Sequence, residues 1–152
     1  MPVRIALAFA FTLVSVAEMA HAECFVQTAK FVMGEPSIEL VFSGQVVEVT
    51  KSGEWGSLVT FEVDRVWKGS VPERLDVYVH ERSSNAPRFR KGERYVALAA
   101  RLKDAPTVRA ELGLSESKAP IVIAMQCSDR AVLSPNIEGD LGPGYDPKRV
   151  KE

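Results

Sequence analysis

The sequence predicts an all-β domain: a small closed barrel of five strands, with one short helix and an extended C-terminal tail. Three observations predict it. Five runs alternate apolar and polar residues with period two between residues 40 and 126, and turn-forming stretches separate most of them. The first run changes parity after Val46, which suggests a β-bulge, and Gly44 would ease a sharp bend. Five strands are too few for an immunoglobulin-like sandwich, which needs about seven. Closing five strands into a barrel removes the edges that an open sheet would have to protect.

The chain opens with a segment that stands apart from this pattern. Residues 1–22 carry Arg4, then an apolar run over 5–16, then Ala20-His21-Ala22, a small-x-small cleavage site. That is the layout of a secretory signal peptide. The apolar run is shorter than the roughly 20 residues that span a bilayer. Cleavage after Ala22 is expected, leaving a secreted or periplasmic chain that starts Glu23-Cys24 and has no stable membrane insertion. A lipid anchor on Cys24 would want a small residue before it, and Glu23 stands there.

The strands follow in order. In residues 40–49, Phe42, Gly44 and Val46 share a face, after which Val47 and Val49 continue on the other parity. Residues 51–57 form a turn with two glycines. In 58–67, Val59, Phe61 and Val63 alternate with Thr60, Glu62 and Asp64, giving one buried and one wet face. A turn at 68–72 leads to 75–80, where Leu75, Val77 and Val79 alternate with Asp76, Tyr78 and His80. Polar residues at 81–93 break the periodicity before the fourth strand, 94–100. The connection 101–120 is long, with room for a short helix at 107–114. Ile121, Ile123 and Met125 alternate with Val122, Ala124 and Gln126 in the fifth strand. The domain is expected over 23–133, and the Pro- and Gly-rich end, 134–152, as an extended or disordered tail.

Composition bounds the function. The formal net charge of −1 excludes a protein that holds nucleic acid by phosphate neutralisation alone. After the leader one histidine remains, His80, and two cysteines, Cys24 and Cys127. Two distant thiols and one imidazole make no metal-ligand cluster, so neither metal nor cofactor is expected. In an oxidising compartment Cys24 and Cys127 are expected to pair, closing a loop of about 100 residues worth about 4–5 kcal/mol. No nucleophile elbow, zinc motif or phosphate loop frames a catalytic site, and the chain is not expected to be an enzyme.

Two stretches carry binding chemistry. Trp55, beside Glu54 in a glycine-flanked turn, either anchors a protein partner or folds back over the barrel mouth. Trp67 ends an apolar face and is expected to pack. Arg82, Arg88, Arg90, Lys91 and Arg94 set five cations against Glu81 and Glu93, and could hold an anion or an acidic glycan, or could form a solvated loop.

The stretches Val41-Phe42-Ser43-Gly44-Gln45-Val46, Phe61-Glu62-Val63-Asp64-Arg65-Val66-Trp67-Lys68-Gly69 and Phe89-Arg90-Lys91-Gly92-Glu93-Arg94-Tyr95-Val96 lie between Cys24 and Cys127. In that order they resemble the netrin-like domain, in particular bacterial exported relatives of the tissue inhibitors of metalloproteinases. The resemblance spans roughly residues 24–130 and implies an OB-like five-stranded barrel. In the animal inhibitors the mature chain begins with a cysteine whose α-amine and carbonyl chelate the protease zinc, and the matching residue here is Cys24. This chain departs from them at two places: Glu23 precedes the cysteine, which would make its nitrogen an amide, and Val26 stands where the inhibitors have a second cysteine. The resemblance implies a ridge of Cys24, Phe25 and Val26, with the turn at Glu54 and Trp55 as a second contact. The expected partner is a protein, such as an extracellular or periplasmic metalloprotease. An anion- or glycan-binding barrel using residues 82–94 is the alternative.

Overall fold

In a computed structural model the chain is described over residues 26–82, 85–115, 120–125 and 136–148. Five strands form a closed barrel: β1 (Leu40–Ser52), β2 (Gly56–Lys68), β3 (Arg74–His80), β4 (Arg94–Arg101) and β5 (Val122–Ala124). Their order around the barrel is β1-β2-β3-β5-β4. All the pairings are antiparallel except β3 with β5, which meet in parallel at Tyr78 and Ile123. This is the all-β closed barrel expected from the strand count, and it is OB-like, as the resemblance implied.

β1 belongs to two neighbours at once, β2 and β4, and must bend to serve both. Its register against β2 shifts between Ser43 and Gly44, and again between Val46 and Glu48, where the parity change suggested a bulge. A Cβ on Gly44 would lie 2.4 Å from the Glu62 carbonyl oxygen, so only hydrogen fits where the two backbones close. The apolar residues of both parities in β1 also have a packing reason. Leu40, Phe42 and Val46 point into the barrel, whereas Val41 joins an outer cluster with Val32, Ile38, Trp67, Val96, Leu98 and Ile137. Two short helices supply part of that cover: α1 (Ala29–Gly34) gives Val32 and α3 (Ile137–Leu141) gives Ile137.

The inner core is aromatic along its length. Phe42, Phe61, Phe89 and Tyr95 make three successive edge-to-face contacts, with ring centroids 5.3, 5.2 and 5.0 Å apart. β2 and β3 contribute Val59, Phe61, Val63, Val77 and Val79 to it, as their alternation requires. Tyr78 departs from expectation. It lies on the face predicted to be wet, yet it is 1% exposed, because Leu112, Leu114 and Ile121 from the long connection cover it. Within that connection the helix α2 (Pro106–Glu111) takes the start of the region expected to be helical, and Arg109 folds back on Asp104 at 2.7 Å.

The tail is extended after residue 142, and it is docked. Tyr145 exchanges two backbone hydrogen bonds with Val66, of 2.8 and 2.9 Å. Lys148 N–H donates to the Val71 carbonyl at 2.8 Å. β2 pairs with β3 only through residues 56–62, so its last residues have a free edge on that side, and the tail covers it. Trp67, expected to pack, is buried and donates its indole hydrogen to the Gly142 carbonyl at 2.8 Å.

Candidate functional site

The hairpin joining β1 and β2 turns at Gly53, Glu54 and Trp55, with Ser52 paired to Gly56. Gly53 adopts φ +65°, a left-handed conformation that glycine takes without strain. The hairpin is fastened on two sides. Ser52 Oγ donates to the Leu112 carbonyl at 2.6 Å, which ties it to the end of α2. Glu81 N–H donates to the Trp55 carbonyl at 2.8 Å, which ties it to the end of β3. The backbone under Trp55 is therefore held by tertiary hydrogen bonds, while the indole remains 44% exposed.

The indole belongs to none of the buried clusters among the described residues. It lies under the guanidinium of Arg82, whose Cζ is 4.4 Å from the ring centroid. The two residues are far apart in the chain, and neither hairpin pattern nor charge pattern signals their contact. Next to them, Glu81 accepts hydrogen bonds from Lys51 Nζ and Ser57 Oγ. The hydrogen bond from Lys51, then that from Ser57, holds the Glu81 carboxyl below its usual range. Glu81 is thus a fixed negative charge with its partner beside it.

Below this rim the barrel opens into a cavity of about 310 Å³. Val49, Val59, Val79, Pro87 and Phe89 wall it, and Ser57, Glu81 and Arg88 edge it. The turn at Trp55 and the start of the basic stretch, distinct candidates in the sequence, thus meet at one end of the barrel.

The rest of the basic stretch disperses. Arg90 and Lys91 are exposed beside the turn at Gly92, whose N–H donates to the Val46 carbonyl at 2.7 Å. Arg94 is committed to the fold, which corrects its place in an anion-binding set. Its guanidinium donates to both Asp64 oxygens, at 2.6 and 3.0 Å, to Glu138 Oε1 at 2.5 Å and to Ser43 Oγ at 2.8 Å. Part-burial pushes the Asp64 carboxyl up, but the hydrogen bonds from Arg94 and Ser43 outweigh it and hold the group below its usual range. This network joins β2 and β4 to α3, and so fastens the tail. A guanidinium saturated by carboxylates has little left to offer a ligand.

Of the N-terminal ridge, Val26 is 64% exposed at the start of the described chain. Cys24, Phe25 and Cys127 lie outside the described residues, as do the leader and the expected cysteine pairing. His80 is exposed at the end of β3, opposite Gly56. Among the described residues, no three His, Cys, Asp or Glu side chains come together as a metal site. None of the helices among them is long and apolar enough to cross a membrane.

No protein-family model, no curated protein and no solved structure matches this chain.

Proposed function

We propose that this chain is an exported binding module that engages a protein partner through the Trp55 turn. The observation that carries the reading is the exposed indole on a hairpin fastened to both α2 and β3. A large aromatic surface held in place loses little entropy on binding, which is how interface anchors work. The leader pattern at residues 1–22 supports export, and in an oxidising compartment pairing of Cys24 with Cys127 would staple the start of the domain to a point beyond β5.

The most specific form of the reading is inhibition of a metalloprotease, by analogy with the netrin-like domain. It requires a chain that starts at Cys24, because only a free α-amine can ligate zinc well. N-terminal sequencing of the exported protein decides this form: a start at Glu23 removes it and leaves the Trp55 reading intact.

The test of the broader reading is a pull-down from the exported fraction with wild type and Trp55→Ala. A partner retained by wild type and lost from the variant supports it. Equal retention by both overturns the role of Trp55. The anion-binding alternative rests on Arg88, Arg90 and Lys91, which are exposed and make no ion pair among the described residues. Binding of heparin that falls steeply with salt would favour it.

A further inference from the structure

We propose that the barrel-mouth cavity is a binding site for a small carboxylate with an apolar body, such as an arylalkanoate. The inference does not rest on the partner reading, since it concerns the interior of the mouth and not the exposed face of Trp55.

Size comes first. The cavity holds about 310 Å³. That is at the lower end of known ligand pockets and about twice an engineered cavity that accepts benzene. One ring with a short chain fits, and a drug-sized or polymeric ligand does not.

The walls set the body of the ligand. Val59, Val79 and Phe89 are at most 9% exposed, so their cavity faces are apolar surface that water contacts at a cost. Phe89 is fixed edge-to-face between Phe61 and Tyr95, and the Tyr95 hydroxyl in turn donates to Glu93 at 2.7 Å. Such a wall is preformed, and a ligand need not order it.

The rim sets the head group. Two charged side chains line the cavity, Glu81 and Arg88. Both Glu81 oxygens are already taken, one by Lys51 and one by the Ser57 hydroxyl, and the Lys51 ammonium offsets its charge. Arg88 makes no ion pair among the described residues. Arg82 brings a second positive charge close by, on the Trp55 ring. The uncompensated charge at the mouth is therefore positive, and a guanidinium matches a carboxylate with two parallel hydrogen bonds. An apolar ligand bearing one carboxylate satisfies wall and rim together.

The experiment titrates the intact exported protein with 3-phenylpropanoate and with the isosteric neutral 3-phenylpropanamide, read by calorimetry. Wild type is expected to bind the carboxylate about tenfold tighter than the amide. Arg88→Gln is expected to erase that preference while keeping weak binding of both. Ala86 also lines the cavity, and Ala86→Phe, which would fill it, is expected to abolish both. Far-UV circular dichroism and the thermal midpoint report that the variants are folded. Should Ala86→Phe fail to fold, Arg88→Gln alone still decides. Equal affinity of wild type for the two probes, an unchanged preference in Arg88→Gln, or no saturable binding at millimolar probe overturns the proposal.

Discussion

The guanidinium of Arg82 lies 4.4 Å from the centre of the Trp55 ring, and the adjoining Glu81 N–H is bonded to the Trp55 carbonyl. One end of β3 thus grips the hairpin twice, by backbone and by side chain. An exposed cation over an indole is worth about 0.5–1 kcal/mol. Arg82→Ala should lower stability by no more than about that amount and loosen the indole. Tryptophan fluorescence anisotropy should fall, and the change should vanish in the Trp55→Phe background, where only buried Trp67 emits. An unchanged anisotropy would show that Arg82 does not restrain the ring.

The Asp64–Arg94 pair predicts a pH dependence. The folded Asp64 carboxyl titrates below its unfolded value of about 3.9, so the pair stabilises the fold above that pH. The contribution is lost as pH falls through the lowered folded value. Both side chains are more than two-fifths exposed, which screens the pair to about 1 kcal/mol or less. Asp64→Asn should therefore cost up to about 1 kcal/mol at neutral pH, and the cost should shrink as pH falls below about 3.9. Denaturation midpoints measured across that range check both the size and the sign.

Gly44→Ala tests the bend in β1. The new methyl would sit 2.4 Å from the Glu62 carbonyl oxygen, which is backbone and cannot swing away. The strands must separate locally, at a cost of about 1–3 kcal/mol. A loss under 0.5 kcal/mol, about the range of surface substitutions, would mean that the bulge relaxes freely.

Phe61 is the centre of the aromatic row, touching both Phe42 and Phe89. Phe61→Ala should cost about 3–5 kcal/mol, a large part of a small domain's stability. Phe61→Leu should retain much of it, and comparing the two in urea separates lost volume from lost ring contacts.

Trp67→Phe removes the indole donor to the Gly142 carbonyl and leaves the apolar packing largely in place. The expected cost is about 0.5–1.5 kcal/mol. Limited proteolysis should cut faster within 136–148 in this variant, and equal cutting rates would show that Trp67 does not hold the tail.

Much of the barrel was legible in the residues. Val59, Phe61 and Val63 faced inward as their alternation required, and the parity change after Val46 marked a true register shift. Period-two patterning reads well because one face of each strand meets the core and the other meets water. Where a second layer covers the outer face, that contrast fades. Tyr78 among polar neighbours therefore read as wet, and the alternation gave no sign of the outer cluster that holds Val41 and Val96. The helix α1 has one buried residue, Val32, so a periodic signal could hardly exist; only Thr28, whose side chain caps Phe31 N–H, hinted at it.

The site was less legible than the fold. Sequence alone determined that a tryptophan sits on a tight turn and that cations gather after the third strand, because both are local facts of composition and turn chemistry. Only the tertiary structure decided that Arg82 covers Trp55, that Lys51 pairs with Glu81 and Ser57 bonds it beside Arg88, and that Asp64 and Glu138 claim Arg94. Each of these joins residues far apart in the chain, whose meeting depends on barrel closure and register. A charge count records how many cations a stretch carries; the distances set by the fold record which of them are already spent.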